Sequence, residues 1–465
     1  MSRQGWLALS AGAILAGLTA GCLMKQAVSE KQMEPSVRLL VLDPGHFHAA
    51  LVQKTMYEQI SPEVSVYAPD GPELDDYLAS IEAFNTRPEN PTAWLQRVYK
   101  GPDYLERMLS EKKGNVVVIS GKNSLKTDYI YQSVRAGLNV LADKPMVIAP
   151  EKFPLLVESF RTAEKNGVLL YDIMTERFEI TTILQKELAS IPAVFGHLQR
   201  GSLEEPAVVK ESVHHFSKYV AGRPLRRPAW FFDSAQRGED LADVSTHLVD
   251  LIQWECFPEE PMDYRRDIQM LRARRWTTSM TVEQFREVTG LEDWPEYLKP
   301  YVKDNVLYVK ANGQMDYALR GIHARVCVRW EYRAPEGAGD MHYSILQGSR
   351  CNLVIRQGPQ ETYKPTLYVE SVEGKLSPKH LETAVLRTLQ KKYPGIGLER
   401  VDERRWKILI PDSYYVGHEA HFAQVMQNFL RYLREGRLPD WEVPNMLAKY
   451  YTTMEAVKAA DRQEN

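Results

Sequence analysis

Asn139-Val140-Leu141-Ala142-Asp143-Lys144-Pro145-Met146 reads as a short apolar strand that ends at a lysine and is stopped by a proline. Upstream, Asn115-Val116-Val117-Val118-Ile119 is a second apolar strand, followed by a loop with Asn123 and a helix that closes near Gly137. Apolar strands that alternate with helices imply a parallel sheet covered on both faces. The alternation extends outward through residues 37–43 and 64–67 on one side and 167–171 on the other, with a helix-like stretch from Ala49. The expected fold class is α/β: a Rossmann-like, doubly wound parallel sheet over residues 37–172. From residue 173 longer alternating stretches take over, such as Ala324 to Trp330 and Cys351 to Ile355, which read as antiparallel strands with one wet face. A C-terminal α+β domain on an open mixed or antiparallel sheet, residues 173–465, is therefore expected, with helical runs over 382–391 and 418–435.

With 44% hydrophobic and 26% charged residues in 465, the chain has the makeup of a folded globular protein rather than a disordered one. A net charge of −3 excludes a general electrostatic affinity for nucleic acid. The four cysteines form no C-x-x-C pair, so neither a zinc knuckle nor a disulfide framework is expected. Residues 1–22 have one arginine, an apolar run and Leu18-Thr19-Ala20-Gly21-Cys22. They resemble a bacterial lipoprotein signal, which implies a lipid on Cys22, a tether over 23–36, and an exported protein anchored at a periplasmic or cell-surface membrane.

Lys144 stands at the carboxyl end of a parallel strand, the edge where open α/β sheets bind ligands. Partial burial there would depress its pKa and let it exchange a proton with a substrate hydroxyl. About a hundred residues on, Asp243 and His247 are spaced to share one face of a helix, a carboxylate and an imidazole suited to sugar hydroxyls and proton relay. Asp143-Lys144-Pro145 and the run Gly238 to Asp250 together resemble the glucose-fructose oxidoreductase/inositol dehydrogenase (Gfo/Idh/MocA) family. That family carries Glu-Lys-Pro after its fourth strand and Gly-Gly-x-x-x-Asp-x-Gly-x-His-x-x-Asp on a helix over the cofactor cleft. The resemblance implies a nicotinamide cofactor, NAD or NADP, and a sugar substrate. It makes Lys144, His247 and Asp243 the catalytic group and sets Asn123, Asp143 and Pro145 beside the cofactor. Lys126 occupies the place of the family's histidine in Thr-Pro-Asn-x-x-His, and Asp250 is read as structural or as a support behind the site residues.

The first loop departs from that pattern. Where G-x-G-x-x-G lets the backbone approach a pyrophosphate, this chain has Asp43-Pro44-Gly45-His46-Phe47-His48. Only Gly45 remains, and two readings follow: either His46 or His48 with main-chain amides replaces the glycine contacts and Asp70 past the second strand holds a ribose hydroxyl, or the nucleotide site has been lost or rebuilt for another ligand. Asp43, His46 and His48 offer metal-ligating atoms, but no second cluster completes a coordination sphere, and no metal is assigned. His418-Glu419-Ala420-His421 has the wrong spacing for a zinc helix and reads as a helix start on the sheet domain. His214 and His215 either line a sugar pocket or belong to the core, and the arginines at 265, 266, 272, 274 and 275 read as a solvated face.

The expected activity is NAD(P)-dependent oxidation or reduction of a secondary hydroxyl on a sugar or glycoside. The alternatives are glycoside cleavage assisted by a retained NAD, and a non-catalytic carbohydrate-binding lipoprotein on a degenerate dehydrogenase scaffold. The open C-terminal sheet is a candidate surface for a homo-oligomer.

Overall fold

The computed structural model describes residues 36–220, 223–335 and 338–464. The expected signal, Cys22 and nearly all of the tether lie outside the described residues. Six parallel strands make the first sheet: β1 (Leu39–Leu42), β2 (Glu63–Ala68), β3 (Leu95–Lys100), β4 (Val116–Ile119), β5 (Asn139–Asp143) and β6 (Leu170–Ile173). Their order is β3-β2-β1-β4-β5-β6, so the sheet grows in opposite directions from β1 and β4. A crevice opens at that switch point, outside the carboxyl ends of the strands. Every residue of β1 and β4 is buried, which is why these strands read as unbroken apolar runs.

Strand β3 escapes the sequence pattern. It is an edge strand, Leu-Gln-Arg-Val-Tyr-Lys, with no fully buried residue, and charged side chains on an edge mask the period of a strand. Asp143-Lys144-Pro145 consequently follows the fifth strand of the chain, not the fourth. The helix expected from Ala49 is also shorter than its sequence suggests, a single turn over His48–Leu51. The Trp94 indole donates to the carbonyl of Gln53 at 2.6 Å just past the end of this turn.

The second sheet has nine principal strands: β7 (Val208–Ser217), β8 (Ile268–Thr281), β9 (Val306–Leu319), β10 (Ile322–Arg333), β11 (Met341–Gln347), β12 (Cys351–Gln357), β13 (Thr366–Ser371), β14 (Gly397–Arg400) and β15 (Arg405–Leu409). Their order is β8-β9-β10-β7-β11-β12-β13-β15-β14. Only β7 with β10 is parallel among these neighbours, so the sheet is mixed and mostly antiparallel, as expected. One face packs on helices: the fully buried Lys210 of β7 reaches Glu255 of helix Ser245–Cys256. On the other face a cavity of about 430 Å³ opens among Glu211, Arg329, Tyr343 and Arg356. The run expected at 382–391 is a composite helix over 378–392, interrupted by a π segment at Ala384–Leu389.

Two C-terminal helices, His418–Glu435 and Glu442–Glu464, return to the first sheet. Five buried charges join the parts there. Arg177 donates to Asp250 at 2.6 and 2.7 Å and to Glu442 at 3.0 and 3.1 Å. Lys449 bridges Asp250 at 2.8 Å and Asp172 of β6 at 2.7 Å, and Tyr450 donates to Asp172 at 2.8 Å. Asp250 is thus a structural residue, as its sequence position suggested. The expected outcome for Lys449→Met is a loss of about 3–5 kcal/mol in unfolding free energy, because two buried carboxylates lose their shared ammonium. Urea denaturation measures it, and a loss below about 1 kcal/mol would contradict the clamp.

Candidate active site

At the end of β5 the chain turns through Asp143, Lys144 and the buried Pro145, with a cis peptide between the last two. Lys144 Nζ donates to Asp243 Oδ1 at 2.7 Å, and each side chain is only 10% exposed. Burial works against the ammonium, but the carboxylates of Asp243 and Asp143 outweigh it and hold the Lys144 pKa above that of an ordinary lysine. Burial works against the Asp243 carboxylate too, yet Lys144 and Arg237 bring it down to about 2. The depressed lysine expected from the sequence is therefore corrected: Lys144 is a charged donor, because the protein supplies its counter-ion.

The shared helix face is corrected as well. Helix Ser245–Cys256 starts two residues after Asp243, which sits in the preceding turn, while His247 is in the first helical turn. The two reach the crevice from different local structures. Burial, then the positive charge of Lys144, then His418, push the His247 pKa well below its ordinary value, so its imidazole is neutral. Its Nδ1 is buried without a hydrogen-bond partner. A fixed cation and a neutral imidazole thus stand within electrostatic reach of each other, one able to hold negative charge on oxygen and the other able to take a proton.

Asn123 opens helix Asn123–Arg135 beside this group, but its amide is committed. It donates to the Arg237 carbonyl at 2.6 Å and accepts from Lys126 Nζ at 2.6 Å. Lys126 also donates to the main-chain oxygen of Asp143 at 2.9 Å, so a buried ammonium secures the turn that carries Lys144. Burial lowers the Lys126 pKa to about 8. Its folded pKa lies below the unfolded value near 10.4, so the unfolded chain binds more protons between those two pH values and stability gains with pH there. Wild-type stability relative to Lys126→Met should rise from pH 8 toward pH 10, by at most about 1.4 kcal/mol per pH unit. A flat difference in urea denaturation across that range would refute the assignment.

The first loop is rebuilt around two neighbours. Asp43 adopts φ 47°, a left-handed conformation that glycine would occupy without strain, and its Oδ2 accepts from the Tyr129 hydroxyl at 3.0 Å. Burial raises the Asp43 pKa, against the Tyr129 hydrogen bond and the Lys122 charge, which lower it. Gly45 lies against Gly121, whose own absent side chain is required: a Cβ there would meet the Asp43 carbonyl at 2.2 Å. His46 and His48 both turn to Asp143, at 3.3 and 3.0 Å, while the His46 amide donates to the Ser120 carbonyl at 3.2 Å. Asp70 has an exposed carboxylate paired with Lys100 at 2.9 Å. The structure thus brings together Lys144, Asp243, His247, Asp143, His46 and His48. Asn123 is nearby but spent, and Asp70 lines the far side of the crevice with Gly45 and Lys122.

Two expectations about outlying residues change. His418 and Glu419 do not start a helix on the second sheet: the His418 ring lies 5.6 Å from that of His48, and Glu419 pairs with Lys54, so this helix closes over the first loop. Arg275 is no solvated residue; it is 7% exposed and pairs with Glu239 at 2.7 Å. Sequence reasoning also missed Arg237 and Asp240. Arg237 Nη1 lies 3.8 Å from Asp243, its guanidinium sits over Phe231 and Trp330, and Asp240 accepts from the Trp330 indole at 3.0 Å. His214 stacks on Trp330 with centroids 5.0 Å apart and shares Asp340 with His215 and Lys218. The Gly238 to Asp250 motif adjoins Arg237, but nothing in its residue type distinguished it from a surface arginine.

Comparison with known proteins agrees with this fold. Residues 72–171 match the family model described as "Oxidoreductase family, NAD-binding Rossmann fold", and residues 184–461 match "Putative oxidoreductase C terminal domain". The chain belongs to the Gfo/Idh/MocA oxidoreductase family. A crystal structure described as a "putative oxidoreductase from Parabacteroides merdae" is 53% identical, with a TM-score of 0.90 over 92% of this chain and 98% of that one. Levoglucosan dehydrogenase in complex with NADH shares the fold at 12% identity and a TM-score of 0.59, over 92% and 97% of the chains. Biliverdin reductase from Synechocystis, with biliverdin and NADP+, does so at 11% and 0.55, over 92% and 99%. No curated protein matches the sequence significantly. The Rossmann match begins at residue 72, past the first loop, so the altered segment lies outside the part that this model recognises.

Proposed function

We propose that this member of the family oxidises or reduces a secondary hydroxyl of a sugar or glycoside with NAD or NADP. The observation that carries the reading is the charged Lys144, paired with Asp243, beside the neutral His247 at the carboxyl ends of the parallel strands. The crevice fits a nicotinamide dinucleotide: Gly45 offers backbone with no side chain, Asp70 offers an exposed carboxylate for a ribose, and Lys122 brings a positive charge beside Asp43. When bound, the nicotinamide supplies the partner for hydride transfer. The chain's own residues handle the proton and the substrate. His247 accepts the hydroxyl proton on oxidation, since a neutral imidazole is a base and a fully protonated lysine is not. Lys144 donates a hydrogen bond to the same oxygen and stabilises the charge that develops there. Asp243 keeps Lys144 charged and aimed, and in the other direction His247 returns the proton.

The sugar assignment draws on the Lys-Pro and Asp-x-x-x-His pattern and on the levoglucosan dehydrogenase that shares the fold. Export as a lipoprotein through Cys22, and assembly through the open face of the second sheet, complete the proposal. The first draws on residues 1–22 and the second on the cavity-bearing face with Arg329 and Tyr343.

Two measurements test the reading. Denaturing the purified full chain and identifying released nucleotide by mass spectrometry, beside NAD and NADP titrations, should show bound or titratable nicotinamide; binding of neither would move the carbohydrate-binding alternative to first place. Lys144→Ala should lower kcat for the sugar by 10³-fold or more, an expected loss of about 4 kcal/mol of transition-state stabilisation, while nucleotide affinity changes little. Unchanged turnover would remove Lys144 from the mechanism.

A further inference from the structure

One ring nitrogen each of His46 and His48 and a carboxylate oxygen of Asp143 lie within 4.8 Å of one another at the mouth of the crevice. His48 Nδ1 is 3.0 Å and His46 Nδ1 3.3 Å from the same oxygen, Asp143 Oδ2, and the Ser120 hydroxyl donates to that oxygen at 3.0 Å as well. A carboxylate oxygen has about two lone-pair directions, so three donors exceed its capacity. The surplus shows: His46 Nδ1 is buried and makes no directed hydrogen bond. In a tetrahedral site with metal bonds of about 2.0–2.1 Å, neighbouring ligand atoms stand about 3.3 Å apart. The His46 separation of 3.3 Å is that of such an edge, and the His48 separation of 3.0 Å is 0.3 Å shorter. Lys126 takes the main-chain oxygen of Asp143 and leaves the carboxylate to the imidazoles.

We propose that His46, His48 and Asp143 bind one divalent transition-metal ion of the zinc class, which pins the altered first loop to the end of β5 beside Lys144. Two imidazole nitrogens and one carboxylate oxygen suit zinc, cobalt and iron rather than calcium or magnesium. Ser120 steadies the carboxylate as an outer partner. The ion takes over the anchoring that glycines and a long first helix give other Rossmann loops, since the helix here is one turn and Asp43 is turned to Tyr129. It also converts the overcrowded carboxylate oxygen into a satisfied one, with both Nδ1 atoms as ligands in place of competing donors.

The test uses the full chain, stripped with a chelator and titrated with zinc(II) and, separately, cobalt(II). One zinc per chain is expected, together with the visible d–d bands of four-coordinate cobalt and an X-ray absorption shell of nitrogen and oxygen only. His46→Asn, which alters a side chain 22% exposed, should weaken zinc binding at least tenfold. His214→Gln, in a separate histidine cluster, should leave it unchanged. No zinc binding by the wild type, a sulfur-containing shell, undiminished binding by His46→Asn, or loss in His214→Gln instead would each overturn the proposal. The wild-type stoichiometry and spectra stand without the variants, so a variant that misfolds does not remove the test.

Discussion

The buried clamp of Arg177, Asp250, Lys449, Asp172 and Glu442 is the constraint on which the rest of the molecule depends. Its members come from β6, the segment after it, the helix that carries His247, and the C-terminal helix. Each charge is almost fully withdrawn from water, and isolated it would cost several kcal/mol. The ammonium of Lys449 and the forked guanidinium of Arg177 distribute their hydrogen bonds so that every carboxylate has a cationic partner. Pulling any one member away would leave a buried charge without its counter-ion. The clamp therefore sets the position of helix Ser245–Cys256 against the first sheet, and with it the distance from His247 to Lys144.

That placement explains why the protonation states are divided as they are. Lys144 and His247 are both buried, and burial disfavours charge on each. Asp243 decides between them. It lies on Lys144, so the lysine keeps its proton, and the neighbouring positive charge adds to burial in emptying His247. Two titratable groups pushed apart in this way are the arrangement by which one site holds an acid and a base at once. Arg237 and Asp240, backed by Trp330, hold the Asp243 turn from behind.

The first loop shows the same economy. A carboxylate one methylene shorter than the family's glutamate stands at Asp143, and two histidines from the loop close in on it. Helix His418–Glu435 covers that contact through His418 and Phe422. The loop, the strand end and a helix from the far end of the chain thus form one cluster of imidazoles beside the Asp143-Lys144 turn.

The sequence by itself determined the parallel sheet, since strands buried on both faces must be apolar throughout, and it marked Lys144, which follows a strand of that sheet at its carboxyl end, where open α/β sheets bind ligands. His247 and Asp243 were legible through the resemblance of the Gly238 to Asp250 run to the family pattern, not through the shared helix face that their spacing implied. The sequence did not disclose β3, whose edge position leaves its residues free to be polar. Nor could it show the charge on Lys144 or the neutrality of His247, which depend on a carboxylate 99 residues away in the chain. The short first helix, the meeting of His46 and His48 with Asp143, and the arrival of His418 beside them were decided by the tertiary structure alone. Hydrogen bonds and ion pairs between distant segments leave no periodic trace in the residues that make them.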